Sequence, residues 1–343
     1  MKIKPKMIGI IIVSYNSKEY LSDCLDSIFD STYHKFKIYL VDNASADGSC
    51  KFVKSKFPKV EVIESGGNLG FAAGNNIGIK KALSDSCNFV FLLNPDTIIQ
   101  KDCLEKLLNN HTDKTILQPL ILIHENGKKT SLVNTTGNYL NFLGVSYCDD
   151  YRKNQSEISG KEITSASGAA LFTSSSAFKE IGYLDDNFFM YHEDLDFCIR
   201  ARLRNYSIKV MPDAIVWHKY HYSRNMHKIL YVERNRLLFL YKNFPVKYLV
   251  LIFPLMLVNE ILISLYFLSQ KSLGIKVKSY IEAVKLLGCI KKSRKRNLVY
   301  FKNFGNVKKF IGATMSFEEA KSIIFYPYNV ILSAYWFLIK RLI

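Results

Sequence analysis

The chain has 343 residues, 48% of them hydrophobic, enough for one large or two ordinary domains with a real core, which excludes a disordered or fibrous chain. Its formal net charge of +17 requires a polyanionic partner, either nucleic acid, an anionic membrane surface or a phosphorylated substrate. Seven scattered cysteines without C-x-x-C spacing exclude a disulfide framework and a zinc knuckle, and fit a reducing cytosolic environment.

Residues 1–6 are basic, but the apolar run behind them meets Ser14, Tyr15 and Asn16 too soon for a signal-peptide core. Short β-branched or apolar runs then recur at Ile8–Val13, Ile38–Val41, Val60–Ile63 and Phe89–Leu93. Between the first two, Tyr20, Leu21, Cys24, Leu25, Ile28 and Phe29 lie at helical spacing and form one apolar face. This alternation predicts an α/β fold of parallel strands joined by helices, a Rossmann-like arrangement. Ser45 is placed to cap the next helix, and helical character returns after Gly70 despite Gly74 and Gly78. Ligands of such sheets sit at the carboxyl ends of the strands, here Ser14-Tyr15-Asn16, Asp42-Asn43 and Asn94-Pro95-Asp96.

From 115 to 223 the pattern gives strands at Ile116–Ile123, Gly168–Thr173 and Ile208–Met211 and a helix over Leu195–Arg204, which predicts a mixed sheet completing the domain. Long apolar helical stretches separated by basic ones begin after about residue 224. The division expected is a catalytic domain over 1–240 and a helical, basic region over 241–343. Tyr248–Leu268 is long enough to cross a bilayer but contains Pro254, Asn259 and Glu260, and the apolar stretch 322–339 contains Pro327 and Asn329. Both are read as membrane-associated, with spanning and lying flat left open. Segment 271–310 carries 12 Lys or Arg against one Glu.

Four clusters carry chemistry. Asp96 ends a buried strand, where it either holds a divalent cation or makes an ordinary turn and caps a helix near Ile98. His192-Glu193-Asp194-Leu195-Asp196, with Arg200 behind it, groups three acids beside aromatics; mutual repulsion raises a carboxylate toward a general base, while a helix dipole also suits acids there. Trp217-His218-Lys219-Tyr220-His221 sets imidazoles at a strand end, a mount for a cation that most histidines do not use. Gly66 to Asn76 is a turn rich in Gly and Asn that opens a helix; it is neither a Walker loop nor a G-x-G-x-x-G fingerprint, and a simple flexible turn suits it equally.

Taken in order, Ile12-Val13-Ser14-Tyr15-Asn16, Val41 to Ser49, Asn68 to Asn76, Asn94-Pro95-Asp96, His192 to Asp196 and Trp217-His218 resemble glycosyltransferase family 2, most closely its rhamnosyltransferase and galactofuranosyltransferase-like members. The resemblance covers about residues 8–240. It implies a GT-A fold, Mg²⁺ or Mn²⁺, and inverting transfer from a UDP-, dTDP- or GDP-linked sugar to a hydroxyl of a glycan or polyprenyl-linked acceptor in cell-envelope polysaccharide synthesis. By the same resemblance Ser14, Tyr15, Asn16 and Asp42 line the nucleotide, and Asn68, Gly70, Phe71, Asn75 and Asn76 contact the diphosphate and sugar. Asp96 and His218 hold the metal, with Asn94 standing where the family's metal motif has its first acid. Asp194 takes the acceptor's proton, supported by Glu193, Asp196 and Arg200. The apolar helices beside clustered lysines predict an anionic membrane surface at the cytoplasmic face as partner, with no nucleic acid. A membrane-bound, non-catalytic binder and a sugar-phosphate nucleotidyltransferase are the competing readings.

Overall fold

A computed structural model describes residues 6–219, 226–315 and 326–343. His221 and residues 322–325 of the C-terminal apolar stretch lie outside the described residues. The chain divides into two compact units, one formed by 1–138, 148–201 and 206–221, the other by 139–147, 202–205 and 222–343.

The first unit opens with β1 (Ile8–Ser14), α1 (Lys18–Phe29), β2 (Phe36–Asp42), α2 (Ser49–Lys56), β3 (Glu61–Glu64), α3 (Gly70–Ser84) and β4 (Phe89–Leu93). Strands β1 and β4 are buried end to end, as their unbroken apolar sequences require of strands covered on both faces. Residues Leu21, Cys24, Leu25 and Ile28 of α1 are the buried face that their spacing predicts. The Ser45 cap does not form: α2 begins at Ser49, where Asp47 Oδ1 accepts from the Ser49 backbone amide, while the Ser45 hydroxyl turns back to the β1–α1 turn. Helix α3 has glycines where it crosses the sheet, and a Cβ on Gly74 or Gly78 would stand 2.8 Å from Val13 Cγ1 or 2.4 Å from Ile11 Cγ2.

The chain continues through β5 (Thr97–Ile99), α4 (Cys103–Asn110), β6 (Thr115–Glu125), β7 (Lys128–Thr135), β8 (Asn138–Asn141), β9 (Ser146–Cys148), β10 (Ala170–Ser174), α5 (Ser175–Ile181), α6 (Glu193–Leu203) and β11 (Ser207–His218), of which β8 and β9 fall mostly in the second unit. Residue 97 therefore opens a short strand and not the helix considered near Ile98. The sheet runs β3-β2-β1-β4-β10-β6-β11-β5, with β7 on β6. Strands β3, β2, β1 and β4 are mutually parallel, while β10 runs against both β4 and β6. This is the expected mixed α/β architecture. Strand order reverses between β1 and β4, so Ser14 and the Asn94-Pro95-Asp96 turn flank the switch point at which open α/β sheets bind ligands.

The second unit holds α7 (Met226–Asn243), α8 (Val246–Ser269), α9 (Leu273–Asn297), α10 (Gly305–Lys308), β12 (Ile311–Gly312) and α11 (Tyr326–Lys340). Helix α7, placed with the first domain by a division at 240, belongs here, because Arg294 of α9 donates to the carbonyls of Tyr241 and Phe244 at its end. The insertion 139–147 is part of this core: Phe142 stacks on Trp336 at 5.2 Å, and the Tyr248 hydroxyl donates to the Phe142 carbonyl at 2.8 Å. A buried ion network joins α7, α8 and α9. Arg236 and Lys276, each 1% exposed, both pair with Glu233 and Glu260.

Candidate active site

Strand pairing creates the first element of the site. Antiparallel β5 and β11 place His218 opposite Thr97, and His218 Nε2 comes within 3.2 Å of Asp96 Oδ1. Residues 122 positions apart thereby share one point, which no local pattern encodes. On the far side of the ring, His218 Nδ1 lies 3.2 Å from Asn134 Oδ1 at the end of β7. In the tautomer whose Nδ1–H donates to that oxygen, Nε2 presents its lone pair beside the Asp96 carboxylate, an arrangement suited to sharing a cation. Asn134 was missed by sequence reasoning and carries no local signal.

Four buried oxygens in this region find no hydrogen-bond partner among the described residues: Ser14 Oγ, Asp42 Oδ1, Asn94 Oδ1 and Glu193 Oε2. Unsatisfied buried polar atoms are uncommon in folded proteins and need a reason. Ser14, Asp42 and Asn94 all lie at or just beyond the carboxyl ends of adjacent parallel strands. Among the described residues, no three His, Cys, Asp or Glu side chains gather to hold a metal. Asp96 and His218 are the carboxylate–imidazole pair the fold brings together here, and Asn94 lies in the same turn as Asp96.

The β1–α1 turn and the loop after β2 brace each other. Asn16, at φ 54°, accepts from the Ala46 amide at 2.7 Å, and its own amide donates to Ser45 Oγ. Asn16 thus shapes the loop, while Tyr15 beside it is 51% exposed. Asp42 accepts from the Ser45 amide through Oδ2, leaving Oδ1 unpaired.

The Asn68–Asn76 segment is more structural than the sequence implies. Asn68 Oδ1 accepts from Asn43 Nδ2 and from the Gly70 amide, so Asn43 fixes the loop to β2. Gly70 has φ +82°, and a Cβ there would lie 2.6 Å from the Phe189 carbonyl oxygen, a conformation and an approach that only glycine tolerates. Asn75 and Asn76 both face inward. Asn75 donates to the Phe71 carbonyl, and Asn76 clasps the 184–186 strap by donating to the Leu184 carbonyl and Asp186 and accepting from the Leu184 amide. Both residues are hydrogen-bonded within the fold and are 1% and 4% exposed. Phe71 is half-buried and packs at Gly168, where a Cβ would stand 3.0 Å from Phe71 Cε1 and 3.6 Å from Asp194 Cβ.

The strap leads into α6 through a strained path. Phe189 (φ 65°), Tyr191 (φ 67°) and His192 (φ 71°) all occupy the left-handed region, and the Met190 amide donates to the Phe188 carbonyl at 2.7 Å in a tight γ-turn. Such backbone is held only where surrounding contacts fix it. The Phe189 carbonyl accepts from the Ala72 amide, tying the path to the start of α3.

Asp194 emerges in the first turn of α6. Its Oδ2 accepts from the Gly168 amide at 2.9 Å and from Asn138 Nδ2 at 3.2 Å, and its Oδ1 from the Leu195 amide at 2.7 Å. Burial raises its pKa above the ordinary carboxylate value, and these three donors oppose the rise. Glu193 is more strongly affected: burial, then the neighbouring Asp194 charge, hold it well above 4.5. Both carboxyls are thus shifted toward the protonated form, Glu193 further than Asp194. Asp196 and Arg200 sit behind them in a buried ion pair at 2.8 Å, with Arg200 also donating to the Ile181 and Tyr183 carbonyls. Their part is to anchor the strap to the helix.

The parallel half, its mixed extension and an Asp–His pair at the switch point define a GT-A fold. The family model described as Glycosyl transferase family 2 matches residues 9–182, and the chain belongs to that family. It is 32% identical over 204 residues to the low-salt glycan biosynthesis hexosyltransferase Agl10 of Haloferax volcanii, covering 59% of this chain and 63% of that protein. It is 25% identical over 234 residues to an N-acetylglucosaminyl-diphospho-decaprenol L-rhamnosyltransferase of Mycobacterium tuberculosis, covering 62% of this chain and 76% of that one. Among solved structures, GalNAc-T7 with UDP, GalNAc and Mn²⁺ superposes with a TM-score of 0.57 at 14% identity, over 71% of this chain and 49% of that chain. The mannosyltransferase PcManGT of Pyrobaculum calidifontis, with GDP-Man and Mn²⁺, gives 0.51 at 13% identity over 89% and 86%. At these identities the superpositions bear on the fold alone.

Proposed function

We propose that the chain transfers a hexose from a nucleoside-diphosphate sugar to an acceptor hydroxyl by a single displacement with inversion. The observation that carries this reading is the Asp96–His218 pair, together with the partnerless buried oxygens of Ser14, Asp42 and Asn94 at or just beyond the carboxyl ends of adjacent parallel strands. A diphosphate with its cation, and a nucleoside with its ring and ribose donors, would satisfy those atoms. Asp96 and His218 would hold a divalent cation, with the Asn94 oxygen within the same turn as Asp96. When bound, that cation neutralises the charge building on the departing diphosphate. Two similar structures were solved with Mn²⁺, which supports a divalent ion without choosing between Mg²⁺ and Mn²⁺.

In this reading Asp194 accepts the proton of the attacking hydroxyl as the acceptor oxygen bonds to the anomeric carbon and the bond to the diphosphate breaks. Neutral Glu193 spares Asp194 a second adjacent charge, and Asn138 and the Gly168 amide orient the carboxylate. No nucleophilic carboxylate is needed, as a retaining double displacement would demand. The printed names of the relatives support a glycan or polyprenyl-diphosphate-linked acceptor, and the basic second unit supports an anionic membrane surface at the cytoplasmic face.

The test is Asp194→Asn, assayed with UDP-, dTDP- and GDP-linked sugars. Transfer should fall by at least about 100-fold, the usual scale of a lost general base, while Mn²⁺-dependent donor binding persists. Because burial raises Asp194, the parent's rate should climb with pH through a midpoint above the ordinary carboxylate value of 3.8. Full turnover by the Asn variant would remove Asp194 from the base role.

A further inference from the structure

Helix α8 has two apolar faces. Tyr248, Ile252, Asn259 and Phe267 are buried within the second unit, whereas Val250, Phe253, Leu257, Ile261 and Leu265 are 50–65% exposed. The exposed residues recur at three- and four-residue spacing and form a continuous stripe along one side of a 24-residue helix. The two helices packed against α8 carry exposed apolar residues as well: Val277, Ile281 and Val284 on α9 are 48–65% exposed, and Val330, Ile331, Phe337 and Leu338 on α11 are 53–64% exposed. Exposed apolar surface on this scale marks an interaction face. Lys278, Lys285, Lys291, Lys292 and Lys295 of α9 are also exposed, so an apolar surface is bordered by cations.

By length and composition α8 is fit to cross a membrane, with a mean hydropathy of 2.1 in its best window. Its inner face argues otherwise. Glu260, in the middle of the helix, pairs with both Arg236 of α7 and Lys276 of α9 and accepts from the Tyr280 hydroxyl at 2.6 Å. The Tyr335 hydroxyl of α11 donates to the Leu251 carbonyl at 2.6 Å. A lone spanning α8 would leave the buried Arg236 and Lys276 without Glu260, and would carry that carboxylate into hydrocarbon.

We infer that α8, α9 and α11 form a single monotopic surface that lies in the headgroup region of an anionic leaflet, with α8 parallel to the membrane plane and not across it. The exposed stripe enters the acyl boundary while the lysines meet lipid phosphates. Charge selects the occupant: a second copy of this chain would set lysine against lysine, whereas anionic lipid complements both features.

The full chain is added from outside to sealed vesicles of phosphatidylcholine containing about one third phosphatidylglycerol. Binding should exceed that to pure phosphatidylcholine and weaken with salt, and each lysine of 291, 292 and 295 changed to Gln should weaken it about fivefold. Leu257→Asp with Leu265→Asp should abolish binding while circular dichroism and urea midpoint stay near the parent's. For orientation, Lys247→Cys and Gln270→Cys, made in a Cys289→Ser background, are treated with a membrane-impermeant maleimide and read by peptide mass. Both helix ends should label on bound protein. Protection of one end would establish a spanning helix and overturn the inference, as would failure to bind vesicles, or a stable dimer in solution that the two Asp substitutions dissolve. Vesicle binding is read apart from sugar transfer, so loss of one leaves the other standing.

Discussion

Two side chains that the sequence did not single out govern the two sides of the proposed reaction, Asn134 at the histidine and Asn138 at the aspartate. Asn134 fixes which nitrogen of His218 faces Asp96, and partners of this kind are commonly worth 10–100-fold in metal affinity. Asn134→Ala should therefore weaken Mn²⁺ binding to the nucleotide-bound protein by about tenfold or more in calorimetry, with His218 and Asp96 intact. Unchanged affinity would reduce Asn134 to packing. Glu193 offers a second residue-scale test, since its folded pKa lies well above its unfolded value of 4.5. The folded state keeps that proton where the unfolded chain has lost it, so this group favours folding below about pH 4.5 and works against it as pH rises. Glu193→Gln should match the parent's stability near pH 4 and exceed it increasingly toward pH 7 in urea unfolding. A gain that is flat with pH would mean that Glu193 ionises in place.

At the scale of elements, periodicity located what is periodic. Strands β1 and β4 and helix α1 stand where their apolar patterns predict, because burial on one face or two writes itself into the order of residues. Helix α3 is legible only as far as its start, since its inner face is made of Gly, Ala and Asn with a single Ile79, and such a face shows no apolar stripe. Its glycines are there for proximity to β1. Gly78→Ala gains about 1 kcal/mol in helix propensity but places a methyl 2.4 Å from Ile11 Cγ2, and overpacking costs about 1–3 kcal/mol. A net loss of up to about 2 kcal/mol is expected in denaturant unfolding. A more stable variant would mean that β1 yields at little cost. The meeting of Asp96 with His218, by contrast, depends on a three-residue strand pairing with the end of β11, and pairing between distant strands leaves no periodic trace.

At the scale of the molecule, the sequence marked a change of character near residue 224, and the compact units divide at 222. Composition could not show that 139–147 belongs to the helical unit, because a short insertion carries too few residues to declare which core it fills. Charge was legible as a total of +17, while its meaning came from lysines bordering an exposed apolar surface. The strap from 184 to 192 has a broader consequence. Asn76 clasps Leu184 and Asp186, the latter 110 residues away, and the Phe189 carbonyl holds the start of α3, so the segment beside the donor and the helix bearing Asp194 are mechanically one piece. Under the proposed function, a substitution confined to 68–76 would be transmitted through these bonds to the placement of Asp194, so donor selection and proton removal would respond to one and the same change.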